Sequence, residues 1–339
     1  MAIIKTKDDV EVIPKENLAL YESPDDSFKK ANAFIESKYK ATLTELKILD
    51  ILIWRIQHKK YITIDENDGS IVCSIPAKEL KKLLGVKSGS FYSQLKPIAA
   101  SMAATTMGYE DDEKQVFAYL PLFTLVKYED AIFQAKINND LKQYINPSTK
   151  FTILQVPSIS KYKSRYTLKL HQLLLSYCFS KKRVGSARFA PKASDGRHFK
   201  IEMGINELKF TLGVVDSSAK QVKKILAGNS IPDYDKAMRA SNDKSYDNWS
   251  DFRKRVIDVA VKEINKTSEY GMNVSYEAVK AGKGAKVYSI IFYVEMTGNR
   301  TNVPVEGNKQ EKPKLSEDEM FDIHFMVKSM IKEDVKLRD

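Results

Sequence analysis

The sequence predicts an α+β fold of two tandem units, each a set of helices closed by a β-hairpin, with a flexible arm before them and a helical tail after them. Three observations predict it. The first is a change of period between Trp249 and Val294. At ~100° per residue, Phe252, Val256, Ile257, Val259, Ala260 and Ile264 share one helix face, and Lys254, Arg255, Asp258 and Lys262 share the other. Met272, Val274 and Tyr276 then alternate, as do Val287, Ser289, Ile291 and Tyr293, around a loop holding Gly282, Lys283, Gly284 and Lys286. The second observation is that both halves share one order of elements: long helix, strand, short helix, basic helix, hairpin. The third is charge. A helix with a basic face followed by a hairpin with a Gly/Lys tip is the ending of a winged helix, in which the helix fits a major groove and the tip rests on phosphate. Cations opposite a core face also occur on ordinary solvated helices. The order helix, hairpin, basic tip sets this one apart.

The net charge of +11 is unevenly spread over the 339 residues. Residues 1–27 hold three Lys against seven Asp/Glu, and residues 300–339 hold eight Lys/Arg against nine Asp/Glu, so residues 28–299 carry net +16. A basic body points to a polyanionic partner, because cations that displace condensed counterions supply most non-specific DNA affinity. Charge alone would equally suit RNA or acidic lipid. No apolar run approaches a membrane span, the first residues lack a signal-peptide layout, and Cys73 and Cys178 have no metal-type spacing. Reduced, buried thiols in a cytoplasmic protein are expected.

Residues 1–27 read as an acidic arm with Pro14 and Pro24. Phe28–Tyr39 is expected to pack as a helix. Thr42 and Glu45 form a capping box before a helix carrying Leu46, Leu49, Ile53 and Ile56 inward. Tyr61–Ile64 and Ile71–Cys73 flank Asn67-Asp68-Gly69, a hairpin signal. Pro76 opens a helix ending at Gly85, and Ser88 caps another through Ala104, giving a helix-turn-helix joined by Gly85-Val86-Lys87. Its second helix presents Ser90, Tyr92, Gln94 and Lys96, and Pro97 either kinks it or marks an earlier stop. Strands near Thr105–Glu110 and Gln115–Leu120 are expected to form a wing with an acidic tip, and a run over Tyr128–Ile137 closes the unit.

The second unit opens with a helix over Lys163–Tyr177, with Tyr166, Leu170, Leu173 and Leu174 inward. A polar loop, a strand at Phe199–Met203 and a short helix at Ile205–Leu212 follow. An insertion at Gly213–Asn248, with its own helix over Ser217–Leu226, separates the two helices of the second helix-turn-helix. Ser250 is the expected N-cap of the last helix and Thr267-Ser268 its end. Pro304, Gly307 and Pro313 mark a linker, and Ser316 and Glu319 cap an amphipathic helix bearing Met320, Ile323, Phe325, Met326 and Met330. That helix either packs back on the body or offers a face to a partner. The expected domains are therefore 28–150 and 151–297, with the arm at 1–27 and the linker and tail helix at 298–339.

Signs of catalysis are scarce. Gly-rich phosphate loops in a strand-to-helix setting are missing, and His58, His171, His198 and His324 are isolated, without the spacing of a metal site. His171 sits near a core face and reads as a core histidine. Asp111-Asp112-Glu113 and Glu317-Asp318-Glu319 are a turn and a first helical turn. No enzyme activity, cofactor or metal is expected.

The segment from Phe252 to Val294 closely resembles the C-terminal signature of theta-type plasmid replication initiators, the RepA, RepE and Pi group. The matching residues are the Glu263-Ile264-Asn265 and Thr267 step and the lysine-glycine tip from Lys280 to Lys286. Two further stretches, at residues 160–177 and 32–53, resemble the helices that open the family's second and first domains. The resemblance covers about residues 28–297 and implies two winged-helix domains that bind repeated sites, iterons, at a plasmid origin. It also implies monomers that open the origin with the host initiator and replicative helicase, and dimers, joined largely through the first domain, that repress the protein's own promoter. By the same resemblance, sequence readout falls to Ser250, Asp251, Arg253, Lys254 and Arg255, with Lys262 on the same basic face, and phosphate contacts to Lys280, Lys283 and Lys286. Arg253 lies at the edge of the apolar arc. The competing expectation is a two-winged-helix transcriptional repressor without origin function.

Overall fold

The computed structural model describes residues 27–38, 40–86, 91–111, 116–178, 188–191, 198–227, 232–267, 271–280, 282 and 286–296. The expectations for the acidic arm, the tail helix, the tip of the first expected wing, Lys87, Ser88, Ser90 and Lys283 lie outside these residues. The chain gathers into two compact units. One takes the described residues of Met1–Ala31, Thr44–Met107 and Leu120–Ser160, the other those of Asn32–Leu43, Gly108–Tyr119 and Lys161–Asp339.

The described residues begin with strand β1 (Ser27–Ala31), followed by helix α1 (Asn32–Glu36). This corrects the single helix expected from Phe28: the first five residues pair with a later strand, so Phe28 and Lys30 turn inward together. Helix α2 (Leu43–Gln57) buries Leu46, Leu49, Ile53 and Ile56 as the spacing requires, and its Asp50 meets the Lys30 ammonium at 2.6 Å, both side chains buried. Strands β2 (Ile62–Ile64) and β3 (Ile71–Pro76) form the expected hairpin, whose Gly69 takes a left-handed φ of 66°. Helix α3 (Ala77–Leu84) follows Pro76 and stops at Gly85, left-handed at φ 69°, whose N–H reaches back to the last carbonyls. Helix α4 (Phe91–Ala103) buries Leu95 and Met102 and continues past Pro97, which is exposed.

Two strand assignments change. Strands β4 (Thr106–Asp111) and β5 (Val116–Pro121) pair only with each other. The run expected over Tyr128–Ile137 is two strands, β6 (Phe123–Glu129) and β7 (Ile132–Ile137), turning at Asp130 and Ala131 with φ of 49° and 58°. β7 pairs with both β3 and β6, so the β6–β7 hairpin completes the sheet and is the wing. The β4–β5 hairpin is an excursion ahead of it. After a 3-10 turn at Asn139–Leu141 come α5 (Lys142–Ile145), β8 (Phe151–Gln155), which pairs with β1, and α6 (Val156–Lys161).

The second unit is built on α7 (Arg165–Cys178), whose residues from Thr167 onward are all buried, so it is a central helix and not a one-faced one. Tyr166, expected inward, is half-buried. His171 is enclosed; burial pushes its imidazole down to about 3, and Tyr162 meets it edge-on at 5.3 Å between centroids. Cys73 and Cys178 are free, buried thiols, with burial raising both. Strand β9 (Arg188–Pro191) forms within the stretch expected to be loop, and β10 (His198–Gly204) and α8 (Ile205–Thr211) follow. The insertion carries α9 (Lys220–Ala227) and a second, unexpected helix, α10 (Tyr234–Ala240), capped by the Asp233 carboxylate. One continuous helix, α11, then runs through Trp249–Phe252, a π-turn at Arg253–Ile257 and Asp258–Thr267. Strands β11 (Met272–Lys280) and β12 (Val287–Met296) close the unit.

The two principal sheets have the same order. In the first unit it is β2-β3-β7-β6; in the second it is β9-β10-β12-β11. In each, the strand before the helix pair lies between an outer strand and the far strand of the wing, all antiparallel. The repetition expected from element order holds at the level of hydrogen-bonded topology.

Candidate nucleic-acid interface

α11 is fixed at its start by a reciprocal cap. The Asn248 side chain accepts the Asp251 N–H at 2.8 Å and donates to the Asp251 carboxylate at 2.7 Å. The N-cap is therefore Asn248, a correction to Ser250, which lies exposed in the first turn. Asp251 is engaged in holding the helix end.

Phe252, Val256, Ile257, Ala260 and Ile264 are fully buried. Val259, expected with them, is 43% exposed. The π-turn gives the reason: its wider i→i+5 turn advances each residue by less than the ~100° of an α-helix, so residues after it lag in phase. Val259 falls out of the buried arc, while Ile257, Ala260 and Ile264 draw together under Phe252. The opposite face carries Lys254, Arg255, Asp258 and Lys262, with Arg253 at its edge, all exposed. The Arg253 Nε lies 3.8 Å from the Asp258 carboxylate. Lys254, Arg255 and Lys262 form no ion pair or hydrogen bond with described residues. The π-turn spans three of these cations, Arg253 to Arg255.

The wing is tied to α11 at two points. The Tyr276 hydroxyl of β11 donates to the Asp258 carboxylate, and burial together with that carboxylate raises the phenol's pKa. Asn265 uses its side chain as a strand residue would use its backbone: its amide donates to the Val274 carbonyl at 2.9 Å and accepts the Val274 N–H at 2.7 Å. The neighbouring Glu263 accepts the Lys163 N–H at 2.7 Å, and Ile264 is core. The Glu-Ile-Asn step thus joins α11 to the approach to α7, to the core and to the wing, one residue for each. Lys280 and Lys286 flank the wing tip, both exposed. A Cβ on Gly282 would meet nothing within 4 Å among the described residues.

The corresponding surface of the first unit is differently made. Tyr92, Gln94 and Lys96 are exposed on α4, with the Tyr92 ring against Tyr128 of β6 at 5.7 Å between centroids. The wing turns at Glu129, Asp130 and Ala131 and has an acidic tip. Among the described residues, no group of three or more His, Cys, Asp or Glu is placed to hold a metal ion, and no helix is long and apolar enough to cross a membrane.

Two sheets of one order, each closing a helix pair with a hairpin, and a basic helix tied to its wing define a tandem winged-helix protein. A family model described as Initiator Replication protein, WH1, matches residues 27–175, and one described as Initiator Rep protein, WH2, matches residues 236–294. Together they span more than half of the chain, which belongs to this family of replication initiators. Among solved structures it is similar to the Pi initiator protein in complex with iteron DNA, with a TM-score of 0.56 and 16% identity over 82% of this chain and all of that one. That likeness shows the fold. No curated protein matches the sequence. Residues 176–235, including most of the insertion, fall between the two family matches.

Proposed function

We propose that this chain initiates plasmid replication by binding repeated duplex sites at the origin, one chain to each repeat. The observation that carries the proposal is the row of exposed cations on α11, unpaired at Lys254, Arg255 and Lys262, on a helix rigidly tied to a wing with lysines at its tip. α11 enters a major groove, where Arg253, Lys254 and Arg255 reach base edges and Ser250 and Lys262 lie along the walls. A bidentate arginine on guanine is the commonest specific contact of this kind. Lys280, Lys283 and Lys286 take phosphates. In the first domain, proposed to span residues 28–150, α4 and the turn before it (Lys87, Ser88, Ser90, Tyr92, Gln94 and Lys96) touch the duplex more weakly. That domain also carries dimer formation. Residues 151–297 carry sequence readout.

The protein performs no chemistry on DNA. Origin opening draws on binding energy spent in bending and unwinding, followed by recruitment of the host initiator and replicative helicase in the bacterial cytoplasm. Dimers repress the protein's own promoter. Selection of bound sites from random duplex DNA, followed by footprinting, tests the proposal. The expected site is asymmetric, bound by one chain, and about 20 bp long, because successive major grooves lie about 10 bp apart. A palindrome bound only by dimers would replace the initiator with a repressor, and the absence of any preferred site would sink specific readout.

A further inference from the structure

The second unit holds a cleft of about 460 Å³ at the head of α11, bordered by the basic face of that helix. Its walls are the loop from Lys244 to Asn248, the first residues of α7, and Asp251 and Arg255 of α11. Val214 is its one aliphatic lining residue, whereas sites for small organic ligands are mostly apolar. Its chemistry suits a compact anion.

Three cations line it. Lys244 and Arg255 are exposed, and their side chains make no ion pair or hydrogen bond with described residues. The Arg165 guanidinium is held in place, donating to the Tyr166 hydroxyl at 2.8 Å and to the Ala41 carbonyl at 3.4 Å while lying 4.8 Å over the Tyr166 ring. The two carboxylates nearby differ in role. That of Asp251 is bound into the helix cap, and that of Asp247 faces Lys209, whose pKa burial lowers and the Asp247 charge only partly restores. Tyr246 takes a left-handed backbone, φ 52°, which residues other than glycine seldom adopt, and meets Tyr166 edge-on at 6.3 Å.

We propose that this cleft seats a backbone phosphate of duplex DNA, with Lys244 and Arg165 as its donors, Tyr246 as a wall and the base-reading Arg255 beside it. The inference rests on the reading of α11 as the groove-entering helix. Arg255 belongs both to the cleft and to the basic face of α11, so a phosphate in the cleft lies at the edge of the groove that α11 occupies. A contact there carries no sequence information; it fixes the register in which α11 presents its cations. The loop from Lys244 to Asn248 ends the insertion that parts the two helices of the second helix-turn-helix. The insertion thereby gains a role: it delivers a phosphate clamp at the head of α11.

The test measures affinity against salt concentration for the selected site and for random duplex, using the full chain. Lys244→Ala is expected to weaken both DNAs by about tenfold and to make the slope of log K against log salt shallower by about 0.9, the value for one lost phosphate contact. Phosphate-ethylation interference on the selected site should lose one position in this variant. Lys236→Ala, an exposed cation on α10 outside the cleft, should change neither slope nor interference pattern. If wild type selects no site, the reading of α11 fails and takes this inference with it. If wild type selects a site and Lys244→Ala keeps its slope and interference pattern, the cleft alone is misassigned. Saturable binding of inorganic phosphate that Lys244→Ala abolishes, with DNA binding unchanged, would make the cleft a site for a free anion and also overturn the clamp.

Discussion

The two units share one strand order and spend their charges in opposite ways. The first pairs several of its cations with its own carboxylates. Lys30 is buried against Asp50 at 2.6 Å, Arg55 pairs with Glu79 and lies 4.3 Å over Trp54, and Lys136 sits between Asp65 and Asp68 at 2.7 and 2.8 Å. Its recognition-position helix offers Tyr92, Gln94 and Lys96, and its wing tip is acidic. The second unit leaves Lys254, Arg255, Lys262, Lys280 and Lys286 exposed and without partners among the described residues. Topology alone would make the two units equal candidates for the groove. Charge placement separates them, because a cation already satisfied by a carboxylate gains little from a phosphate, while an unpaired one releases counterions when it binds. The first unit is suited to holding shape and the second to holding DNA.

Removing a carboxylate from the first unit tests that division most severely. Asp50→Ala leaves the Lys30 ammonium buried without its counter-charge, and breaking a buried pair costs about 3–5 kcal/mol. Calorimetry should show a large fall in the first unit's transition, with affinity for the selected site unchanged at temperatures where the chain remains folded. A loss under about 1 kcal/mol would mean that the pair is not structural. Next in size is Asn265→Ala. It strips both partners from Val274, and two orphaned backbone groups cost about 2 kcal/mol. The wing should loosen, so cognate and random duplexes are both bound more weakly. Hydrogen exchange should speed at Val274 while β10 keeps its protection. Arg255→Ala is expected to cost about 1–3 kcal/mol on the selected site and to relax its sequence preference. Gln94→Ala, its counterpart in the first unit, should cost less. Equal losses from both would erase the contrast between the units.

Much of the second unit was legible because period and order survive in sequence. The inward set of α11, the alternation in β11 and β12 and the Gly/Lys tip can all be read from residue types. Val259 could not be placed, since a π-turn leaves no mark in composition and yet shifts the phase of everything after it. The cap was misplaced by two residues because Asn248 and Ser250 are both good N-caps, and the reciprocal bond with Asp251 decides between them. In the first unit, β1 is hard to read from sequence because Lys30 has the charge of a surface residue, and its burial depends on the facing Asp50. The β6–β7 turn was missed because Asp130 and Ala131 take left-handed conformations that Gly or Asn would have announced. Which hairpin is the wing depends on the pairing of β7 with β3, a contact made across the intervening helix pair and three further strands. The cleft at Lys244 joins three separate stretches of chain, and no local pattern marks such a site.

The smallest expected effect concerns Lys136, and its sign follows from the carboxylates around it. The hydrogen bond from Lys136, helped by the Ser70 N–H, holds the Asp68 carboxyl down to about 2, and the same lysine lowers Asp65. A carboxylate whose folded pKa lies below its unfolded value of ~3.9 contributes stability that is fully present above that value and is lost as pH falls through the folded one. The window for Asp68 is therefore from about 4 down to about 2. Both groups face solvent, so screening keeps the contribution small. In Lys136→Met, NMR titration should show the Asp68 carboxyl moving up toward ~3.9. The difference in unfolding midpoint between variant and wild type should shrink as pH drops from about 5 to about 2. Asp243 of the second unit provides the control. Burial opposes its ionisation, yet Ser245, the Asp216 N–H and the Lys40 charge hold it at about 2, and none of these belongs to the first unit. Its titration should not move in Lys136→Met. A shift at Asp243 would show that the two units, alike in topology and opposite in their use of charge, are electrostatically coupled.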